Sequence, residues 1–270
     1  AHPRSNPAVQ VWRGGLKSGK KNGGDNMSNI LMEVKDKIAY VTLNRGPANA
    51  FVNEMYVEFA NTLLELGERD DVAVVVVRAN GKIFCGGNDI GAFDSFDSRT
   101  KANYSAECCG KAAGAVWDCK KPVICAVQGA AMGAGMCVAA ASDFIIAGEG
   151  VKFGIPEVKL GIPAAGVFAR MIVPLHKAKW MAFTGNPVTA EELYQYGTVM
   201  KVVPKAEVWD EADKFAHEMA ASCYRAVSIF KQNFCRNMDA RLYDQFMVEQ
   251  NSFMDNMMYS HDFKEAIAAF

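Results

Sequence analysis

No apolar run in this chain reaches the roughly 18 residues needed to cross a bilayer. Its richest apolar region is cut by Ser142-Asp143 and Gly148-Glu149, so a membrane span is excluded. Histidine is scarce, with four in 270 residues, and none of the eight cysteines forms a C-x-x-C pair. A structural zinc site needs such paired ligands, and no metal is expected. Charge of one sign is not in excess either. The formal net charge is -1 with both signs dispersed, which leaves no basic stripe to neutralise phosphates, so nucleic acid is not an expected partner. Neither G-x-G-x-x-G nor Gly-Lys-Ser/Thr follows a strand-like run, which leaves the dinucleotide and P-loop modes of phosphate binding unsupported.

What the chain does have is apolar bulk. Half of its residues are hydrophobic, enough for one large domain with an accessory segment. Several cysteines lie inside apolar runs, as Cys125 does within Val123 to Val127. That placement reads as reduced thiols of a cytoplasmic protein rather than a disulfide framework. Residues 1–26 carry Gly, Ser, Asn and Lys without an apolar block and read as a disordered leader or remnant. Folding is expected to begin near Met27.

Strand signals come first, at Ile30 to Val34 and Ile38 to Leu43, with Asp36-Lys37 as the turn of an edge hairpin. From Asn53 to Gly67, Met55, Phe59, Leu63 and Leu66 recur at helical spacing behind Asn53 as N-cap. The valine-rich run Val72 to Val77, then Val123 to Val127 and Phe144 to Ala147, read as strands buried on both faces. Helical stretches around 99–118 and 133–142 alternate with them, so the class is α/β. Beyond Pro204 the pattern is helical throughout, over Glu207 to Cys223, Arg225 to Met238 and a Met-rich stretch after Leu242. There Phe246, Met247, Phe253, Met254, Met257 and Met258 are expected to pack either on another subunit or on the chain's own core.

Three loops carry chemistry. In Lys82 to Ile90 the pair Gly86-Gly87 permits a sharp turn that can direct the N–H of Asn88 into a cavity; taken singly, the same pair also reads as a simple turn. Gln128 to Cys137 is rich in small residues between a strand and a helix, which places unpaired N–H groups and the helix dipole where negative charge is favoured. In Phe153 to Pro163, Glu157 lies among Pro156 and apolar neighbours. Partial desolvation there would raise its pKa and suit general acid/base work, unless it merely caps the next turn or pairs with Lys159.

Taken in order, Phe-Cys-Gly-Gly-Asn-Asp-Ile, Val-Gln-Gly-Ala-Ala-Met-Gly-Ala-Gly, Ser-Asp-Phe-Ile-Ile-Ala and Phe-Gly-Ile-Pro-Glu closely resemble the crotonase (enoyl-CoA hydratase/isomerase) superfamily. The resemblance runs from about Ile38 to Phe270. It takes in Leu43-Asn44-Arg45, Asn49-Ala50, Thr184-Gly185 and His261 to Ala266. It implies a crotonase-like ββα spiral core over 27–204 and a C-terminal helical oligomerisation region over 205–270 that builds trimers, commonly paired into hexamers.

The resemblance also implies an acyl-CoA substrate, with coenzyme A as part of the thioester and no separate cofactor. Two backbone N–H groups, those of Asn88 and Ala134, would bind the thioester oxygen of the enolate. Of the two glutamates that family hydratases use, one falls on Glu157 and the other position is Cys137. A thiol with an ordinary pKa of about 8.5 is a poor substitute for a water-orienting carboxylate, so a Δ3-Δ2 isomerase-type proton shuttle on Glu157 fits slightly better than hydration. Cys137 could alternatively be the nucleophile of a thioesterase or a small buried hydrophobe, and a non-catalytic CoA-thioester-binding scaffold is a further alternative. The CoA handle is expected at Ala48, Asn49 and Lys82, with Asp89, Ile90 and Arg45 beside it. Walls of the acyl pocket are expected from Phe93, Phe96, Tyr104 and Trp117.

Overall fold

In the computed structural model the described residues are 28–89, 91, 98–236, 247–248, 251, 255 and 260–269. The leader, Ile90, Phe93, Phe96, Phe246, Phe253, Met254, Met257 and Met258 lie outside them.

The chain opens with an antiparallel hairpin, β1 (Ile30–Lys35) and β2 (Ile38–Leu43), with Lys35 opposite Ile38. Asp36 and Lys37 both take positive φ, 50° and 64°, the conformation of a two-residue turn that matches strand twist. The remaining sheet strands, β3 (Val74–Ala79), β4 (Val123–Val127), β6 (Phe144–Gly148) and β9 (Val199–Val203), add in parallel, in the order β1-β2-β3-β4-β6-β9. Three short strands, β5 (Ala131–Met132), β7 (Lys152–Gly154) and β8 (Val188–Thr189), form a second sheet. The chain leaves β4 through β5 and β6 through β7, and isolated bridges at Phe51, Cys85 and Asn88 follow β2 and β3.

The two-period of a strand divides the core cleanly. Ala39, Val41, Val75, Val77, Cys125 and Val127 face one cluster, which α1 (Asn53–Glu68), α2 (Arg99–Asp118) and α3 (Ala134–Ala141) cover. Ile38, Tyr40, Val74, Val76, Ile124 and Ala126 face the other, closed by Val208, Ala212 and Ala216 of α7 (Val208–Ala220). Both faces are thus dry, which is why these strands read as unbroken apolar runs. α7, the first helix beyond 204, packs on the sheet of its own chain.

α8 (Tyr224–Arg236) is tied to the same core by Lys231. Its Nζ reaches Asp143 at 2.8 Å and the carbonyls of Val116 and Lys121 at 3.0 Å, with the side chain 5% exposed. α9 (His261–Ala269) ends the described chain. Two local expectations shift. Strand β3 begins at Val74, since Val72 and Ala73 enter the sheet as approach residues, and Val52 rather than Asn53 caps α1 without a side-chain bond. The remaining helices are α4 (Gly166–Ile172), α5 (Leu175–Thr184) and α6 (Ala190–Gln195). Among the described residues no helix is long and apolar enough to cross a membrane.

Candidate active site

The first loop leaves β3 and is clamped from both sides. On one flank the N–H of Phe51 donates to the carbonyl of Gly87 at 2.8 Å, and the N–H of Asp89 donates to the carbonyl of Phe51 at 2.9 Å. In a parallel bridge of this kind the residues before and after the central one make the bonds, so the N–H of Asn88 points away from Phe51. On the other flank the N–H of Cys85 donates to the carbonyl of Ala130 at 3.1 Å, and the N–H of Met132 to the carbonyl of Cys85 at 2.9 Å. The two glycine-rich loops are therefore stitched together.

Their contact tolerates no side chain. A Cβ on Gly129 would stand 2.0 Å from the carbonyl oxygen of Lys82, and one on Gly135 would stand 2.6 Å from the Cβ of Cys85. Gly133, at φ 51° and ψ -117°, caps α3 from a conformation that glycine adopts freely and other residues do not. Behind it the N–H of Ala134 is the first of the helix. Among the described residues neither that N–H nor that of Asn88 has a backbone acceptor. Two unpaired donors, one carrying a helix dipole, make a receptor for a developing oxyanion.

The carboxylate arrives from the third loop. Pro156 starts a single 3-10 turn, Pro156–Leu160, which ends at Gly161 in the left-handed conformation. This turn holds Glu157 against the oxyanion loop, since Glu157 Oε1 lies 2.6 Å from the point where a Cβ of Gly133 would stand. Its Oε2 is buried with no hydrogen-bond partner among the described residues. Burial pushes the Glu157 carboxyl above the usual carboxylate range, with only its own backbone N–H opposing the shift. No pairing with Lys159 is seen, and an unpartnered, desolvated carboxylate beside two open N–H donors is a base waiting for a proton.

Cys137 is adjacent but closed off, 3% exposed in the first turn of α3. Burial, followed by the neighbouring Cys109 and Glu157, drives its thiol pKa well up. This opposes thiolate formation and weighs against Cys137 as a nucleophile. Cys85 is likewise pushed up to about 12 by burial.

The expected CoA residues divide by geometry. Asn49, fully buried, donates through Nδ2 to the carbonyls of Asn80 (2.8 Å) and Ile83 (2.9 Å) and accepts from the N–H of Arg45 (2.9 Å). Both of its amide hydrogens are committed to building the loop. Asp89 is paired with Arg45 at 2.6 Å and accepts from the N–H of Gly91, which holds its carboxyl below the usual range. Lys82 is exposed and Ala48 half-buried at the rim. Of the expected acyl-pocket walls, Tyr104 is 53% exposed, and Trp117 lies two helical turns beyond Cys109, about 12 Å along α2.

Two residues escaped the sequence reading. Tyr56 is 1% exposed, stacks on Phe51 at 4.6 Å and donates its hydroxyl hydrogen to Asn88 Oδ1. Cys109, half-buried on α2, lies within electrostatic reach of Tyr56 and Glu157. The available signal was the tyrosine one position off the apolar stripe of α1, because a buried phenol needs a polar partner.

Residues 33–270 match the family described as enoyl-CoA hydratase/isomerase. A (7aS)-7a-methyl-1,5-dioxo-2,3,5,6,7,7a-hexahydro-1H-indene-carboxyl-CoA hydrolase of Rhodococcus jostii is 34% identical, covering 73% of this chain and 76% of the relative. A probable mitochondrial enoyl-CoA hydratase of Dictyostelium discoideum is 32% identical over 88% of this chain and 86% of its own. Among solved structures, an enoyl-CoA hydratase of Mycobacterium smegmatis superposes with TM-score 0.85 at 26% identity, covering 90% of this chain and 96% of that one. The human enoyl Coenzyme A hydratase domain-containing protein 3 gives TM-score 0.84 at 26% identity, over 90% and 97% of the two chains. With its glycine-rich loops, its spiral of strands and a family match over nearly all of its described length, this chain belongs to the enoyl-CoA hydratase/isomerase family, the crotonases.

Proposed function

We propose that the two glycine-rich loops bind the carbonyl oxygen of an acyl-CoA thioester between the N–H groups of Asn88 and Ala134, with Glu157 moving a proton on the acyl chain. Removing a proton next to the thioester carbonyl places negative charge on that oxygen. Fixed donors in a dry site stabilise such charge, and losing one typically costs about 3 kcal/mol. The observation that carries the reading is the buried, unpartnered Oε2 of Glu157 beside the oxyanion loop.

One carboxylate supports a shuttle. Glu157 takes the proton from the carbon next to the carbonyl of a 3-enoyl-CoA and returns it to the far end of the dienolate, so the double bond moves into conjugation. This Δ3-Δ2 isomerase-type transfer is favoured because the buried thiol of Cys137 is a poor substitute for a second, water-orienting carboxylate. Hydration is the second reading, favoured by relatives that carry the hydratase name. The Rhodococcus hydrolase keeps a hydrolytic reaction of a cyclic acyl-CoA in view through the same enolate.

The handle of the CoA group lies along Ala48 and Lys82. Exposed apolar side chains on α4 and α5, including Val167, Leu175, Trp180 and Phe183, support a homotrimer or hexamer, because such a patch on a monomer would face water. Turnover of matched 3-enoyl-CoA and 2-enoyl-CoA substrates tests the reading. Conversion of the 3-enoyl thioester with little hydration supports isomerisation, and 3-hydroxyacyl-CoA formation as the faster reaction supports hydration.

A further inference from the structure

The oxyanion donor Asn88 is an unusual residue to find on a loop whose work is done by the main chain. Its side chain is half-buried and turned towards α1, where Oδ1 accepts the hydroxyl hydrogen of Tyr56. Tyr56 is itself immobile. It is 1% exposed, its ring lies on Phe51 at 4.6 Å, and Phe51 meets Phe59 edge-on at 5.8 Å. Phe51 is also the residue whose N–H and carbonyl bracket Asn88 by hydrogen bonds to Gly87 and Asp89. Asn88 is thus gripped twice by α1 and its approach, through the backbone of Phe51 and through the phenol of Tyr56. A phenol has one hydrogen to give. That hydrogen is committed to Asn88.

We infer that Tyr56 is a positioning residue, which fixes the direction of the Asn88 N–H by holding the Asn88 side chain and never touches the substrate itself. The inference rests on the oxyanion-hole reading of Asn88. Donor stabilisation depends on direction as well as distance, and a donor free to rotate stabilises an oxyanion less in the transition state than a fixed one. Loss of the Tyr56 hydroxyl should therefore lower kcat while leaving the remote CoA contacts, and so KM, in place.

The test compares wild type, Tyr56→Phe, Asn88→Ala and the double variant. Two readouts are used: steady-state kinetics with an enoyl-CoA, and the infrared carbonyl stretch of a bound saturated acyl-CoA. Wild type should shift the thioester stretch to lower frequency. Both single variants should reduce that shift and lower kcat by about 10- to 100-fold, the scale of a misplaced catalytic group, with little change in KM. Asn88→Ala keeps the backbone N–H and reaches the same link from its other end. If the link runs through the Asn88 side chain, the double variant is no slower than the slower single one. A full carbonyl shift and near-normal kcat in Tyr56→Phe would overturn the inference, as would effects that multiply in the double variant. A wild-type protein that binds acyl-CoA with no carbonyl shift would instead overturn the oxyanion-hole reading on which it rests.

Discussion

Glu157 and Gly133 share one small space: the carboxylate oxygen Oε1 lies 2.6 Å from where any Cβ at position 133 would have to be. The glycine is required twice, once because its φ of 51° is strained for other residues, and once because the space of its missing side chain is filled by the base. The same residue precedes the Ala134 donor. The proposed base and the proposed oxyanion donor are thus set by a single backbone position.

Gly133→Ala should therefore abolish most activity, by about 10²-fold or more, because the methyl group displaces Glu157 and twists the Ala134 N–H together. Steady-state kinetics and a thermal melt check this. A folded variant with near wild-type turnover would mean that the glycine serves the turn alone.

Glu157→Gln separates activity from stability. Activity should fall about 10²- to 10⁴-fold, the usual worth of a general base. Stability should move the other way. The carboxyl pKa is raised in the folded state, so the native protein binds more protons than the unfolded chain, and its stability falls as pH rises through the raised value. Above that pH the wild type carries a desolvated charge that the amide lacks, and the variant should melt at the same or a higher temperature. At pH values below the ordinary glutamate range the two should converge. Activity of the wild type should rise with pH over the interval in which Glu157 ionises, at higher pH than an ordinary glutamate would give.

Cys137 should be dispensable for turnover. Its thiol is 3% exposed, and burial holds it protonated, so Cys137→Ala and treatment with iodoacetamide near neutral pH should both leave activity largely intact. Exposed Cys223 takes up the reagent instead. Inactivation that tracks modification of Cys137, with protection by acyl-CoA, would restore the thioesterase reading.

Lys231 predicts a stability effect with no catalytic counterpart. Lys231→Met removes the ion-pair partner of Asp143, whose side chain is 22% exposed, and leaves the carbonyls of Val116 and Lys121 without their donor, at a cost of about 1–3 kcal/mol. Burial already raises the Asp143 carboxyl, with Lys231 opposing. The deficit should accordingly shrink as pH falls and Asp143 takes a proton. Urea unfolding at two pH values measures both the size and the sign.

Much of this was legible in the chain. The strand runs, the Asp36-Lys37 turn and the three loops could be read because each rests on local chemistry, namely alternation, turn residues, small residues and an isolated carboxylate. Long-range contacts were not legible. Nothing near Asn49 in sequence shows that its amide would be consumed by the carbonyls of Asn80 and Ile83. Likewise, the helical pattern of α7 does not show which sheet its apolar face closes, and the fold places Val208, Ala212 and Ala216 on its own. Tyr56 and Cys109, 53 positions apart along the chain, meet only because α1 and α2 pack together, so the support of the first oxyanion donor emerged only with the fold.

The central claim, enolate formation on Glu157, is tested most directly by solvent deuterium exchange at the carbon next to the carbonyl of a saturated acyl-CoA, followed by NMR in the wild type and in Glu157→Gln. Exchange in the wild type that disappears in the variant is the predicted result. Tight thioester binding with no exchange in the wild type, or exchange that survives the substitution, would contradict it.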